Sequence, residues 1–222
     1  MSLTLYTISG APCPWRVLVA MAIKGINHDV RFLSGADKEH KKEAYLQLNP
    51  RGTMPTLVSD LLVIRDSIAI LAWLDRAYPE VPLFGESAAE AAYIWQNTME
   101  LVEFLPPATS GVLAPIFFEN AAEVTPDLSR AAETLREELV FVDRLLDKGM
   151  FLSGARAGGA DAVAYPHVRL IRRAMDTRPG IMAGLGLSDY AVFSANISAW
   201  LKRMEVLPGM AATYPPHWAV AA

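Results

Sequence analysis

The chain has 222 residues, with 20 basic and 24 acidic side chains and a formal net charge of −4. That balance excludes a strongly basic nucleic-acid binder. No uncharged run of about 18 apolar residues marks a membrane span. One cysteine and four histidines leave no internal disulfide and argue against a structural zinc site. No basic segment precedes a long apolar stretch at the N-terminus, so no signal peptide is expected and the reading is cytoplasmic.

The first third alternates strand and helix signals. Leu3 to Ile8 alternates and is β-branched, which predicts a strand. Residues 13–25 predict a buried helix closed by Gly25. His28 to Leu33 is a second strand. A polar segment follows from Ser34 to Glu43, then a short helix over Ala44–Leu48, stopped by Asn49-Pro50. Thr56–Val58 and Leu61–Ile64 are expected as two strands joined by a tight turn at Ser59-Asp60. Ser67 to Tyr78 reads as a helix ended by Pro79. The order is βαβ-α-ββα, which fits one mixed sheet with helices on its faces.

Beyond Ser87 only helices are expected. They run over Ala88–Glu103, with a break or kink at Pro106-Pro107 before Thr109–Asn120, then over Pro126–Lys148 with Thr125 as N-cap. A third spans Ala160–Asp176 and a fourth Ser188–Glu205, with Ser188 as N-cap. The tail from Pro208 reads as irregular. The expected division is an α/β domain at 1–80, a linker at 81–86 and an all-α domain at 87–222.

Cys13 is placed where the first strand turns into the first helix. Pro14 fits the first helical turn, where its missing N–H is not needed. Unpaired N–H groups and the macrodipole there favour an anion, and the thiolate is the reactive form of a cysteine. A free cysteine is otherwise a small buried residue, so exposure separates the two readings.

The motifs Cys13-Pro14-Trp15-Arg16, Asn49-Pro50-Arg51-Gly52-Thr53-Met54-Pro55, Arg65-Asp66-Ser67-Ile68 and Leu74-Asp75-Arg76-Ala77-Tyr78-Pro79 occur in this order. Together they resemble the soluble glutathione transferases over essentially the whole chain, in a bacterial form that is omega-like with zeta-like features. The resemblance implies a thioredoxin-like N-terminal domain, an all-helical C-terminal domain, glutathione as co-substrate, no metal and a homodimer. Cys-Pro-aromatic is similar to the omega class, whose nucleophile is that cysteine. Trp15-Arg16-Val17 is similar to the zeta class, which carries serines before its cysteine where this chain has Ala11 and Pro12.

The resemblance also names a glutathione site. Met54 precedes a cis Pro55 in the family and offers its backbone to an extended ligand. Asp66 faces the ammonium. Ser67 and the helix N-terminus it opens suit the γ-glutamyl carboxylate. His40, nine positions before Asn49, and Lys41 stand where family members reach the glycyl carboxylate, although a run of solvated bases explains them equally. Cys13 and Pro14 complete the set. Arg16 is either a support of the site or a structural ion-pair residue. Asp161 matches a capping motif concerned with folding, with Gly158 where a hydroxyl residue is expected.

The second substrate is expected between the domains, near Trp15, Tyr93, Gln96, Asn97, Glu100, Phe104 and Trp218, and a small aromatic or disulfide-type electrophile suits them. The leading expectation is thiol transfer through a mixed disulfide of Cys13 with glutathione. One alternative is conjugation or ether cleavage by the glutathione thiolate. Another is a non-catalytic binding protein on the same fold.

Overall fold

A computed structural model describes residues 2–188 and 192–218. The chain forms two compact units, Met1–Leu83 with Val206–Ala222, and Phe84–Glu205. The division falls inside the expected 81–86 linker. The tail, expected with the helical domain, belongs instead to the first unit.

The first unit is built on a four-stranded sheet of β1 (Leu3–Thr7), β2 (Asp29–Phe32), β3 (Thr56–Ser59) and β4 (Val63–Arg65), in the order β2-β1-β3-β4. β1 pairs parallel with β2 and antiparallel with β3, and β3 pairs antiparallel with β4. Parallel pairing needs a long crossover, here α1 (Pro12–Lys24). Leu3, Leu5 and Thr7 point into the core from β1, as strand alternation requires. Val17, Val19, Ala20 and Met21 of α1 are fully buried. Gly25, at φ 66°, ends the helix in the left-handed conformation.

A 3-10 turn (Glu39–Lys41), α2 (Glu43–Leu46) and α3 (Ser67–Ala77) complete this part. The hairpin differs from expectation: β3 is one residue longer, and β4 starts two residues later and ends one later. Ser59 extends β3, and its Oγ accepts the N–H groups of Leu61 and Leu62 at 3.2 and 3.1 Å. That local bonding pulls Leu61 and Leu62 out of β4, and Leu61 is 74% exposed.

Through Trp218 the tail is not irregular, and residues 219–222 of that expectation lie outside the described residues. The tail forms a helical turn at Met210–Thr213 and a 3-10 turn at Pro216–Trp218. The cause is Trp15, which is 2% exposed. A buried indole N–H needs an acceptor, and Trp15 Nε1 donates to Thr213 Oγ1 at 3.1 Å. Tyr214 and Trp218 stand edge-on to the same indole, with centroids at 5.8 and 5.2 Å.

The second unit contains α4 (Ala88–Phe118), α5 (Pro126–Leu146), α6 (Gly159–Thr177), α7 (Pro179–Gly184) and α8 (Ala195–Glu205). α4 runs unbroken through Pro106, Pro107 and Pro115. Each proline removes one backbone bond, but Leu101, Leu105, Ala108, Val112, Leu113 and Ile116 form one continuous buried stripe. By length and hydropathy α4 meets the criteria of a bilayer span, yet this stripe packs on α5 and α6. Thr125 caps α5 by accepting Leu128 N–H at 3.2 Å. α7 was not foreseen. The helix expected from Ser188 begins at Ala195, where Ser194 Oγ accepts Ile197 N–H at 3.1 Å. Residues 189–191 of that expectation lie outside the described residues.

Asp161 ties this unit together and is fully buried. Oδ1 accepts Leu152 N–H at 2.8 Å and Trp200 Nε1–H at 2.8 Å. Oδ2 accepts the N–H groups of Ser153 and Gly158 at 3.1 and 3.0 Å. Only the acidic half of a capping box exists, because Gly158 has no side chain to return the bond. Gly159 must lack a Cβ, which would lie 2.3 Å from Cε1 of Phe84. Burial pushes the Asp161 carboxyl above the usual carboxylate range, and its hydrogen bonds oppose that shift. Asp161→Asn places an NH2 group where an oxygen accepted two donors. We expect it to cost about 2 to 4 kcal/mol in urea unfolding, and an unchanged midpoint would refute this role.

Candidate functional site

A cavity of about 730 Å³ in the first unit is walled by Cys13, Asn49, Arg51, Thr53, Met54, Arg65, Asp66 and Ser67. The sheet register assembles it. Tyr6 pairs with Thr56, and Thr56 with Arg65. The end of β1, the start of β3 and the end of β4 therefore meet at one edge. The segments carrying Cys13, Met54 and Asp66-Ser67 leave from that edge.

Cys13 is the second residue of α1 and is exposed, so the buried reading of this cysteine does not hold. The helix N-terminus is poorer in donors than its position suggests. Pro12 and Pro14 have no N–H, so Cys13 carries the single N–H of the first three helical residues. The N-cap, Ala11, has no capping side chain.

The Met54–Pro55 peptide bond is cis. The loop before it is held from beneath. Buried Asn49 donates from Nδ2 to Thr53 O at 2.8 Å and accepts Arg51 N–H on Oδ1 at 3.1 Å. Tyr45 Oη donates to Thr53 O at 2.6 Å and lies 2.7 Å from Thr56 Oγ1. Burial raises the Tyr45 phenol, which keeps it a donor, while its bonds to Thr56 and Asn49 oppose the shift. Lys41 Nζ donates to Gly52 O at 2.6 Å.

Asp66, at φ 75°, caps α3 and accepts the N–H groups of Ile68 and Ala69 on Oδ1 at 2.8 and 3.1 Å. Ser67 opens the same helix and is buried. Arg16 lies one turn beyond Cys13 and is 2% exposed. Its Nε and Nη2 have no hydrogen-bond partner among the described residues. Burial lowers the guanidinium from its ordinary value, and the neighbouring Cys13 and Asp66 oppose that shift.

Cys13, Met54, Asp66 and Ser67 thus wall one cavity. Pro14 and Pro55 are buried beside the cavity and do not wall it. His40 and Lys41 do not wall it either, because Lys41 is spent on the loop carbonyl of Gly52. Ser9 Oγ is 3.1 Å from His217 Nδ1 and so faces the tail. Three residues expected at the second substrate are structural. Trp15 and Trp218 pack on each other, and Asn97, 1% exposed, donates to Leu152 O at 3.2 Å. Tyr93, Gln96, Glu100 and Phe104 lie on α4 at helical spacing, and Phe104 is 50% exposed.

Sequence reasoning passed over Asn49, Arg51, Thr53 and Arg65 as wall residues. Their signal was adjacency to the motifs at 54–55 and 66–67. We expect Asn49→Ala to leave Thr53 O and Arg51 N–H short of a partner. The outcome should be about 1 to 3 kcal/mol of lost stability together with weaker glutathione binding in calorimetry. A variant with native stability and native affinity would dismiss the clamp.

Residues 11–77 match the family described as glutathione S-transferase, N-terminal domain. Glutathione S-transferase Z2 of Arabidopsis thaliana is 36% identical over 175 residues, which is 75% of this chain and 75% of that protein. The maleylacetoacetate isomerase of Dictyostelium discoideum is 31% identical over 167 residues, 71% of this chain and 74% of its own. A glutathione S-transferase from the Antarctic clam Laternula elliptica superposes with a TM-score of 0.80 at 29% identity, over 100% of this chain and 95% of that one. A thioredoxin-like sheet with a cis-proline cavity, a helical second unit and these relatives lead to one assignment: the chain belongs to the soluble glutathione transferase family.

Proposed function

We propose that the protein joins the thiolate of bound glutathione to a carbon electrophile, by zeta-type chemistry. The observation that carries this reading is the convergence of Cys13, Met54, Asp66 and Ser67 on one cavity. The zeta-class and isomerase relatives favour carbon chemistry over the cysteine-type mechanism of the omega class.

In this reading the Met54 backbone pairs with the extended tripeptide. Ser67 and the N-terminus of α3 hold the γ-glutamyl carboxylate. The Asp66 carboxylate faces the ammonium, and the Cys13 S–H donates to the glutathione sulfur. Ala11 and Pro12 offer no hydroxyl, so Cys13 is the only side-chain donor between residues 11 and 14. Addition to an electron-poor double bond conjugates the substrate. Reversal after rotation isomerises it. The homodimer typical of the family belongs to the same proposal, and sedimentation tests it.

The exposure of Cys13 supports a second reading, thiol transfer. The Cys13 thiolate would displace the thiol of a glutathionyl disulfide and become a mixed disulfide. A second glutathione thiolate would release it as oxidised glutathione. With one cysteine in the chain, only glutathione can act as the resolving thiol.

Cys13→Ser separates the two. We expect the variant to keep or raise conjugation of a halonitroarene, since a hydroxyl still donates to the sulfur, and to lose any reduction of glutathionyl disulfides. Lost conjugation with intact glutathione binding would transfer the assignment to thiol transfer. For Ser67→Ala we expect glutathione affinity to fall about tenfold, roughly 1.4 kcal/mol, in calorimetry. Native affinity would remove Ser67 from the site.

A further inference from the structure

We propose that His217 of the tail is a positioning residue for the turn that leads into Cys13, acting through Ser9 and Gly10. Its effect on the reactivity of the Cys13 thiol stands alone, while its effect on turnover rests on the function proposed above.

The start of α1 does little to fix itself. Its N-cap, Ala11, has no side chain to accept an N–H of the first turn. Pro12 and Pro14 have no N–H to offer. The turn before the helix is closed by Ala11 N–H donating to Ile8 O at 3.3 Å, longer than the common length of about 2.9 Å. Gly10, in the middle of that turn, sits at φ 81°, where a residue with a Cβ is strained.

The tail supplies the missing restraint. His217 Nδ1 lies 3.1 Å from Ser9 Oγ, within hydrogen-bonding distance. The same ring lies against Gly10. A Cβ there would stand 3.1 Å from Cε1 and 3.4 Å from Nε2 of His217, and 3.3 Å from Nε1 of Trp218. Gly10 is thus required twice, by its φ and by this close approach. His217 is in turn held by its neighbour. Trp218 is 8% exposed and stands edge-on to Tyr214 and to Trp15 of α1. Trp15 Nε1 donates to Thr213 Oγ1, and that hydroxyl donates to Met210 O at 2.8 Å. Ser9 and Gly10 precede Cys13 and Trp15 follows it, so the tail grips the chain on both sides of the cysteine. Cys13 walls the cavity and is exposed, and its place there follows from these two holds. His217 itself is exposed. It adds nothing to the core, which makes the consequence of its bond to Ser9 geometric rather than stabilising.

The test compares native protein with Ser9→Ala, His217→Ala, the double variant and His217→Asn. The first readout is the rate of Cys13 alkylation by iodoacetamide at fixed pH without glutathione, with one cysteine giving one signal. We expect each single alanine variant to raise that rate about threefold, and the double variant no further, because both remove one contact. His217→Asn should restore most of the native rate, since its amide can bond to the Ser9 hydroxyl. Melting temperatures should stay at the native value, as for other exposed positions. The second readout is conjugation of a halonitroarene. We expect kcat to fall about fivefold in His217→Ala while the KM for glutathione stays within about twofold. Unchanged or lowered alkylation rates in the single variants would overturn the proposal. So would additive effects in the double variant, or a lowered melting temperature without rescue by His217→Asn, the mark of a merely structural residue. If the native protein shows no glutathione-dependent turnover, the functional reading fails, and the alkylation rates alone decide the role of His217.

Discussion

The antiparallel register that sets Tyr6 opposite Thr56 and Thr56 opposite Arg65 underlies every residue facing the cavity. Side chains in a strand alternate with period two, so a slip of one residue in β3 would turn Leu57 out of the core. Leu57 is fully buried, which makes that slip costly. With the register held, three chain segments far apart in sequence must leave the sheet at one edge. The chemistry sits at those exits: a helix start after β1, a cis-proline turn before β3 and a capped helix after β4. The hydrogen-bonded group of Tyr45, Asn49, Thr53 and Thr56 then fixes the turn to the strand that carries it.

Within this frame the class-defining differences are few. A cysteine flanked by Pro12 and Pro14 stands at the helix start, with no hydroxyl between residues 11 and 14. The prolines strip donors from the helix start as they shape it. The relatives speak for glutathione chemistry, while the residues at 11–14 set how this chain must stabilise a sulfur anion. The cations that wall the cavity are Arg51 and Arg65.

Local signals were legible wherever one residue decided the outcome. Gly25 closes α1, Thr125 caps α5, and Met54, Asp66 and Ser67 wall the cavity. Features that depend on burial were not. Three prolines argue for a broken α4, and only its packed stripe explains why it continues. Ser188 is a good cap on paper, but α8 is capped by Ser194, and only its hydrogen bond shows that. Lys41 looks like a ligand contact until the carbonyl of Gly52 is seen beneath it. Arg16 could be named from the sequence, but not its unpaired nitrogens, because no pattern of residues reveals which partners are absent.

The tail gives the first unit a property that a linear domain lacks. Its core indole, Trp15, is satisfied by Thr213 and enclosed by Tyr214 and Trp218, nearly two hundred residues away along the chain. Domains generally fold as units during synthesis, the N-terminal one first. Here the whole helical unit is synthesised before these last pieces of the first unit emerge. The sheet and its helices must wait through the synthesis of the whole helical unit with a tryptophan uncovered. The core around Trp15 is thus begun before the helical unit and completed after it, and the two units share one folding history.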